Sequence, residues 1–479
     1  MNKEIKKNSI KHVYFLEPNY CFGGGGELYV RIIEYLIRFT KIKVSIIDFK
    51  DGILSRTCKK FFLKEDIEYI DYLSHQWNLE DHSIIFIAER LLGCIPYIGE
   101  DIKISMIFWE TCIDWNVLFE RKLIPNIGAL LNQHHALNFL DYGNYIAGCR
   151  QLKQNFEKSY LPIFYQASDF QPYTKKTAED EINLVWLGRL ADSKEQSIYN
   201  IAENFYKYPT QKKKVFHIIG NGIAEDKIKN TLKKYENSIK CIFTGILIGD
   251  ELTQYLQKNT DVGVAMGTSL LNFAALGLPV IAAHEHPKPF FTNEFCWLFD
   301  LYEYCTGSPV IKDQGSLPMF QNVKHFNQML DDVFLFGKGN EIGEKCRKYY
   351  KETHADIERV GKAFLHCINR TTLTCEALKK TIKYMPYDDT DGLSIQTIRF
   401  LGIPILKIHH HSNKKRIYFC GIRIVKIITQ PNKTKYYIFG VKMFERCFWG
   451  RYSFPATRGP SIIKDCKNKY LINKRLFDD

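Results

Sequence analysis

The sequence predicts an α/β chain of two doubly wound domains followed by a smaller β-rich region. Three observations carry this. Short apolar runs alternate with segments of helical periodicity from residue 12 to about 165, and the alternation restarts at residue 182. Beyond residue 391 the pattern changes to β-branched and aromatic runs interrupted by glycines at a fixed spacing. With 479 residues, 45% of them hydrophobic, the chain is long enough for two or three packed domains.

In the first domain, placed at residues 1–165, residues 12–17 (HVYFLE) read as a buried strand. Pro18 to Gly26 reads as a glycine-rich turn, 27–39 as a helix and 43–48 (KVSIID) as a second strand. Further apolar runs recur at 83–88, 102–108 and 143–148. The second domain, placed at 166–380, offers strands at 182–188, 214–219, 240–244, 261–265 and 278–283. Helices are expected near 194–207, 223–235, 249–258 and 269–277, and 323–368 reads as helical with a break near Gly337–Gly339. Such alternation implies a parallel sheet covered on both faces. The third region, 391–479, holds three similar segments whose glycines, Gly402, Gly421 and Gly440, are spaced by 19 residues. Three long strands, each with a glycine bend, are expected there.

Charge divides the chain in the same way. Residues 391–479 contain 18 Lys+Arg against five Asp+Glu, while the other 390 residues hold 48 of each; the whole net charge of +13 therefore belongs to the tail. A surface of that sign seeks phosphates, whether on an anionic lipid, a nucleic acid or a phosphorylated carrier. No apolar N-terminal leader is evident. The best membrane-spanning candidate, Ser83 to Gly99, is interrupted by Glu89 and Arg90. The 14 cysteines are scattered without a CxxC pair, which reads as reduced thiol and a cytoplasmic protein. His409-His410-His411 lacks a carboxylate or cysteine partner at ligand spacing and reads as a solvated turn, and His284-Glu285-His286 lacks the HExxH spacing. No metal site is expected.

The chemistry-bearing segments lie at predicted strand ends. After strand 261–265 comes Gly267-Thr268-Ser269-Leu270, opening a helix. Thr268 or Ser269 can cap that helix, and its free first-turn N–H groups suit a diphosphate; an ordinary capped helix reads the same way. Gly188-Arg189-Leu190 ends the domain's first strand, with Lys194 close behind. Arg189 offers a fork and Lys194 a point charge for a diphosphate, against the plainer reading of two solvated cations. Gly220-Asn221-Gly222 ends the next strand, where glycine lets the backbone approach a nucleotide, or simply makes a turn. In the first domain Gly23–Gly26, including Gly25, with Glu27 can wrap a sugar or phosphate. His134, His135 and Trp109-Glu110-Thr111 fall in loops where a histidine can take a proton from an acceptor.

Together VWLGRL…K, FHIIGNG, FTGIL and DVGVAMGTSLLNFAALGLPVI resemble the donor half of the GT-B glycosyltransferases. Within these the resemblance is to the large retaining family that includes many sugar transferases of bacterial surface polysaccharides. It covers roughly residues 12–370. The resemblance implies two Rossmann-like domains facing a cleft and a nucleoside diphosphate sugar as donor substrate without a resident cofactor. It also implies transfer to a hydroxyl of a glycan or lipid-linked acceptor, retention at the sugar and no bound metal. It assigns the donor diphosphate to Arg189 and Lys194, the nucleotide to Gly220 and Asn221, and the phosphates to the helix opening at Thr268, Ser269 and Leu270. It gives GGGGE, with Gly25, a place near donor and acceptor, and leaves Glu27 and His134 as catalytic candidates. One departure is plain: the family often shows two glutamates eight residues apart, and here those positions are Val264 and Asn272. Asparagine can bond a ribose hydroxyl through its amide but brings no negative charge. Two rival readings remain: a non-catalytic protein of the same fold that binds a glycan or nucleotide, and a nucleic-acid-binding protein that uses the basic tail. The tail also suits a peripheral position on the anionic inner face of a membrane.

Overall fold

A computed structural model of the chain describes residues 10–18, 24–63, 65, 67–72, 77–94, 101–108, 127–166, 180–284, 289–306, 322–381, 394–400, 403–411, 414–419, 422–430, 433–439 and 441–447. The N-terminal part runs β1 (His12–Leu16), α1 (Gly24–Phe39), β2 (Lys43–Asp48), α2 (Ile53–Phe61), β3 (Glu68–Asp71), β4 (Ser83–Ala88), β5 (Lys103–Phe108), α3 (Ile127–Gln133), β6 (Leu137–Phe139) and α4 (Tyr142–Leu152). Its sheet has the order β3-β2-β1-β4-β5-β6, and β1 to β5 pair in parallel. β1 and β4 are buried along their whole length, as central strands of such a sheet must be.

The second sheet is built from β7 (Glu181–Leu187), α5 (Asp192–Lys207), β8 (Lys213–Ile219), α6 (Glu225–Leu232), β9 (Ile239–Gly245), α7 (Gly249–Asn259), β10 (Val262–Ala265), α8 (Thr268–Ala275), β11 (Val280–Ala282), β12 (Glu294–Trp297) and β13 (Lys324–His325). Its order is β13-β12-β11-β10-β7-β8-β9. β7 to β11 are parallel, but β12 and β13 join antiparallel at one edge, so the sheet is mixed rather than wholly parallel. Trp186 on β7 and Trp297 on β12 are among its largest fully buried side chains. Four helices follow: α9 (Phe326–Phe334), α10 (Gly339–Thr353), α11 (Ile357–Arg370) and α12 (Cys375–Thr381). The break expected near Gly337–Gly339 lies between α9 and α10. A second break falls at 354–356.

Two expectations are corrected. The helix after the glycine run begins at Gly24, not after Gly26, so Gly24 to Gly26 form its first turn. The buried positions Leu28, Tyr29, Ile32, Ile33 and Leu36 hold the helix against the core, and Glu27 in the first turn is favourable at the positive end of its dipole. The run 143–148 lies in α4, not in a strand. The Asp141 carboxylate accepts the Asn144 backbone N–H at 2.8 Å, a helix-start bond that a short apolar run does not reveal.

The chain divides into two compact units. One contains residues 1–138, 148–159 and 364–479; the other contains 139–147 and 160–363. Residues 364–381 therefore belong with the first sheet. Phe364 stacks on Phe15 with ring centroids 5.7 Å apart and meets Phe86 edge-on at 5.0 Å. The Leu373 carbonyl accepts the Ile104 N–H at 2.8 Å.

The tail forms a six-stranded antiparallel meander: β14 (Ser394–Phe400), β15 (Ile403–His411), β16 (Lys414–Phe419), β17 (Ile422–Gln430), β18 (Lys433–Ile438) and β19 (Val441–Cys447). Among the described residues six short strands stand where three long ones were expected; Gly402, Gly421 and Gly440 lie outside the described residues. A register shift occurs between Ile398/Arg399, Ile417/Tyr418 and Tyr436/Tyr437, each 19 residues after the last, so the sequence spacing corresponds to one bulged hairpin per unit.

Candidate functional site

In open α/β sheets ligands bind beyond the carboxyl ends of the strands, where the strand order reverses. In the second unit the chain runs β7, β8, β9 to one side, then returns to place β10 on the other side of β7. The reversal point is therefore flanked by the ends of β7 and β10. The end of β7 carries Gly188-Arg189-Leu190, and the end of β10 carries Gly267-Thr268-Ser269. Arg189 is exposed, whereas Leu190 is fully buried and anchors the loop to the core. Lys194, half-buried, sits in the first turn of α5, where its backbone N–H bonds Ala191 O at 2.9 Å. The topology thus brings the two predicted diphosphate cations to the carboxyl end of one strand.

On the other side of the reversal, Gly267 occupies the position before α8 with φ 67° and ψ −148°, a conformation open essentially to glycine alone. A side chain there would meet nothing within 4 Å, so the backbone and not crowding demands glycine. Thr268 and Ser269 are the first helical residues and do not cap the helix, contrary to expectation, because the cap position belongs to Gly267. Their side chains are half-buried, and helix geometry gives their N–H groups no acceptor within the helix. Leu270 is fully buried and its N–H bonds Gly267 O at 3.1 Å, so it seats the turn on the core. Asn272, one turn on, is half-buried. Its Oδ1 accepts the Tyr165 hydroxyl at 2.6 Å, and its Nδ2 lies 3.3 Å from Thr268 O. The Tyr165 backbone is itself bonded to Tyr350 and His354. Nothing in the sequence near Asn272 signals this partner, 107 residues away.

Gly220 and Gly222 have a structural use that the sequence does not display. A Cβ on Gly220 would lie 2.1 Å from Gly188 O, and one on Gly222 would lie 2.3 Å from Leu190 O. The loops after β7, β8 and β9 are laced together by backbone bonds. Gly188 N–H reaches Ile219 O at 3.0 Å, Leu190 N–H reaches Asn221 O at 2.8 Å, and Gly220 N–H reaches Gly245 O at 2.7 Å. Contact between loops thus accounts for both glycines, and it fixes the backbone on which Arg189 stands. Asn221 is half-buried at the same edge.

In the first unit the order reverses between β1 and β4. Glu17 directly follows β1 and Glu89 directly follows β4; both are buried. Sequence reasoning gave neither a role, although each stands as a charged residue closing an apolar run. α1 leaves the same end of β1, with Gly25 in its first turn. Glu27 is half-buried. Burial raises its carboxyl above the ordinary range, and Arg31 opposes the shift. His134 lies elsewhere. Its Nδ1 is 2.9 Å from Thr372 Oγ1, and residues 373–374 lie along the amino end of β5. That sets His134 apart from the carboxyl ends of β1 and β4, and His135, exposed, faces Glu157 at 3.5 Å. Trp109-Glu110-Thr111 lies outside the described residues. A cavity of about 370 Å³ lined by Ile10, Asp81, His82, Ser83, Lys103 and Thr374 opens at the amino ends of β4 and β5, the end where such sheets do not bind ligands.

His409, His410 and His411 end β15 rather than forming a turn, and their cross-strand partners are Arg416, Lys415 and Lys414. His284 is buried, its Nε2 bonded to Glu294 O at 2.7 Å; Glu285 and His286 lie outside the described residues. Among the described residues no group of three or more His, Cys, Asp or Glu is placed to hold a metal ion, and no helix is long and apolar enough to cross a membrane.

No family model matches the sequence, and no curated protein matches it. Solved structures similar to this chain include a glycosyltransferase from Rickettsia africae, 13% identical, covering 78% of this chain and 98% of its own, with a TM-score of 0.48. They also include the lipopolysaccharide outer core galactosyltransferase WaaB in its apo form, 12% identical over 75% of this chain and 99% of its own, TM-score 0.48. HepE from Anabaena, solved with UDP and glucose, is 13% identical over 75% and 99%, TM-score 0.47.

Proposed function

We propose that the chain is a glycosyltransferase that moves a sugar from a nucleoside diphosphate donor to a hydroxyl of a glycan or lipid-linked acceptor. The observation that carries this reading is the reversal point of the second sheet, with Arg189 and Lys194 beyond β7 and the open first turn of α8 beyond β10. A departing nucleoside diphosphate gains negative charge as the sugar–oxygen bond breaks. A guanidinium fork, an ammonium and oriented N–H groups stabilise that charge without a metal ion. Retention at the sugar is part of the proposal and rests on the family resemblance. Asn272 is assigned to a donor hydroxyl, with Tyr165 orienting its amide. Glu27 is the catalytic candidate of the first unit, a carboxyl in the first turn of α1 that burial pushes toward its protonated form. The tail's charge suits the anionic face of a membrane, close to a lipid-linked acceptor.

The engagement of Asn272 by Tyr165 favours one rival, a protein of this fold that binds a nucleotide sugar without turning it over. A panel of nucleotide sugars tests both. Release of nucleoside diphosphate from one donor, lost in Arg189→Ala, supports the enzyme. Saturable binding with no release in the presence of any acceptor supports the rival. Absence of binding to every donor refutes both.

A further inference from the structure

We infer that the tail sheet docks on an anionic lipid bilayer end-on, by inserting the apolar hairpin tips at one end of its strands. This deepens the membrane clause of the proposed function and is independent of sugar transfer.

In an antiparallel meander alternate turns share an end. The connections β14–β15, β16–β17 and β18–β19 lie at one end, and β15–β16 and β17–β18 at the other. The residues that close the first end are apolar: Phe400 pairs with Ile403, Phe419 with Ile422 and Ile438 with Val441. The other end is closed by His411 with Lys414 and Gln430 with Lys433. The next register positions behind the apolar end carry Tyr418 with Arg423 and Tyr437 with Lys442. Apolar tips backed by tyrosine and cations match the order of environments met on entering a bilayer from the headgroups.

At the β16–β17 and β18–β19 hairpins the described apolar side chains are open to solvent. Phe439 is 69% exposed, Val441 63%, Met443 57% and Phe419 50%. Phe439 also adopts φ 46°, a region where a bulky side chain is an outlier and where asparagine is the favoured residue of a two-residue hairpin turn. Its N–H bonds Ile424 O at 2.9 Å, which fixes the turn. A strained, exposed phenylalanine in place of asparagine is lost stability that a role for the ring explains. The register sets each tip back by three residues from the one before, since Phe419 pairs with Leu406 and Ile438 with Val425, so the tips form a stepped edge that meets a flat surface with the strands inclined.

Charge selects the partner. A nucleic-acid duplex, its bases already stacked inside, would meet the positive charge of residues 391–479 but offers no apolar face to the row of Phe419, Phe439, Val441 and Met443. A second copy of the sheet would cover apolar tips but bring a like charge against them. An anionic bilayer satisfies both.

The test is co-sedimentation of the full chain with vesicles of phosphatidylglycerol and phosphatidylcholine, with pure phosphatidylcholine as control. The variant combines Phe419→Ser, Phe439→Asn and Val441→Thr; Phe439→Asn relieves the turn, and a melting temperature no lower than that of the native chain checks the fold. The native chain should bind the anionic vesicles, in part resistant to ~0.5 M salt, because insertion is screened less than surface attraction. The variant should bind at least about tenfold more weakly and be released by that salt. In Phe439→Trp, added fluorescence should be quenched by brominated acyl chains. Equal binding by native chain and variant overturns the insertion and leaves only charge attraction. Binding to neither vesicle by the native chain overturns the membrane reading as well, and nucleotide-sugar turnover, read separately, is unaffected by either outcome.

Discussion

At the scale of single residues, cations that face solvent and glycines that let loops touch make different predictions at the same strand ends. Arg189 is exposed, so Arg189→Ala should leave stability within about 0.5 kcal/mol of native. It should weaken binding of a nucleoside diphosphate donor by about 1.5–3 kcal/mol, the loss of a charge-assisted bond, as read by titration calorimetry. Gly220→Ala should do the reverse at the level of the fold. Its Cβ would collide with Gly188 O, and φ is +134°, so urea unfolding should show a loss on the order of 3 kcal/mol before any ligand is added. Tyr165→Phe tests the Asn272 assignment. Removing the hydroxyl frees Asn272 Oδ1, and donor affinity should change while the melting temperature moves little. The places of Arg189 and Lys194 beyond a strand end were legible because charge and strand position appear in the sequence. Tyr165 was not, because its side chain reaches Asn272 only through tertiary packing.

At the scale of elements, buried strands were legible wherever an apolar run ended in a glycine or a charge, as at 182–188 and 83–88. A segment of six residues has no period long enough to separate strand from helix, as at 143–148 (GNYIAG). The number of strands in the tail was not legible for a related reason, since a glycine between two β-rich segments signals either a bend or a turn. One element junction carries a pH dependence. His354 follows α10, and its Nδ1–H donates to Ile163 O at 2.7 Å. Burial pushes its pKa down from 6.5 to about 4. Between those values the unfolded chain holds a proton that the folded chain does not, so stability is fully present above pH 6.5 and falls as pH drops toward 4. Urea midpoints at pH 7 and pH 5 should show this, and His354→Gln should flatten the slope by up to about one proton, whatever its effect on absolute stability.

At the scale of the whole molecule, the two compact units cross the boundaries read from sequence at 165 and 380. The first sheet depends on Phe364 against Phe15 and Phe86, on Leu373 bonded to Ile104, and on Arg370, which bonds Leu137 O at 3.2 Å across 233 residues. A fragment of residues 1–165 should therefore lack a cooperative thermal transition, and addition of a peptide spanning 357–381 should restore helical and sheet signal by circular dichroism. A cooperative transition in the fragment alone would show that the returning segment is dispensable. The sequence could not display this return, since 323–368 reads as one helical stretch and the residues to 380 carry no signal that assigns them to the first domain.

That return also reverses the order in which the chain can mature during synthesis. The ribosome delivers the first sheet earliest, yet Phe15 and Phe86 wait for Phe364, while residues 160–363 are complete as soon as they emerge. The first sheet thus closes after residues 160–363, although most of it is made before them. Ribosome-bound chains arrested soon after residue 363 emerges should show protease protection over 180–306 and cleavage within 10–108, and those arrested after residue 381 emerges should be protected in both.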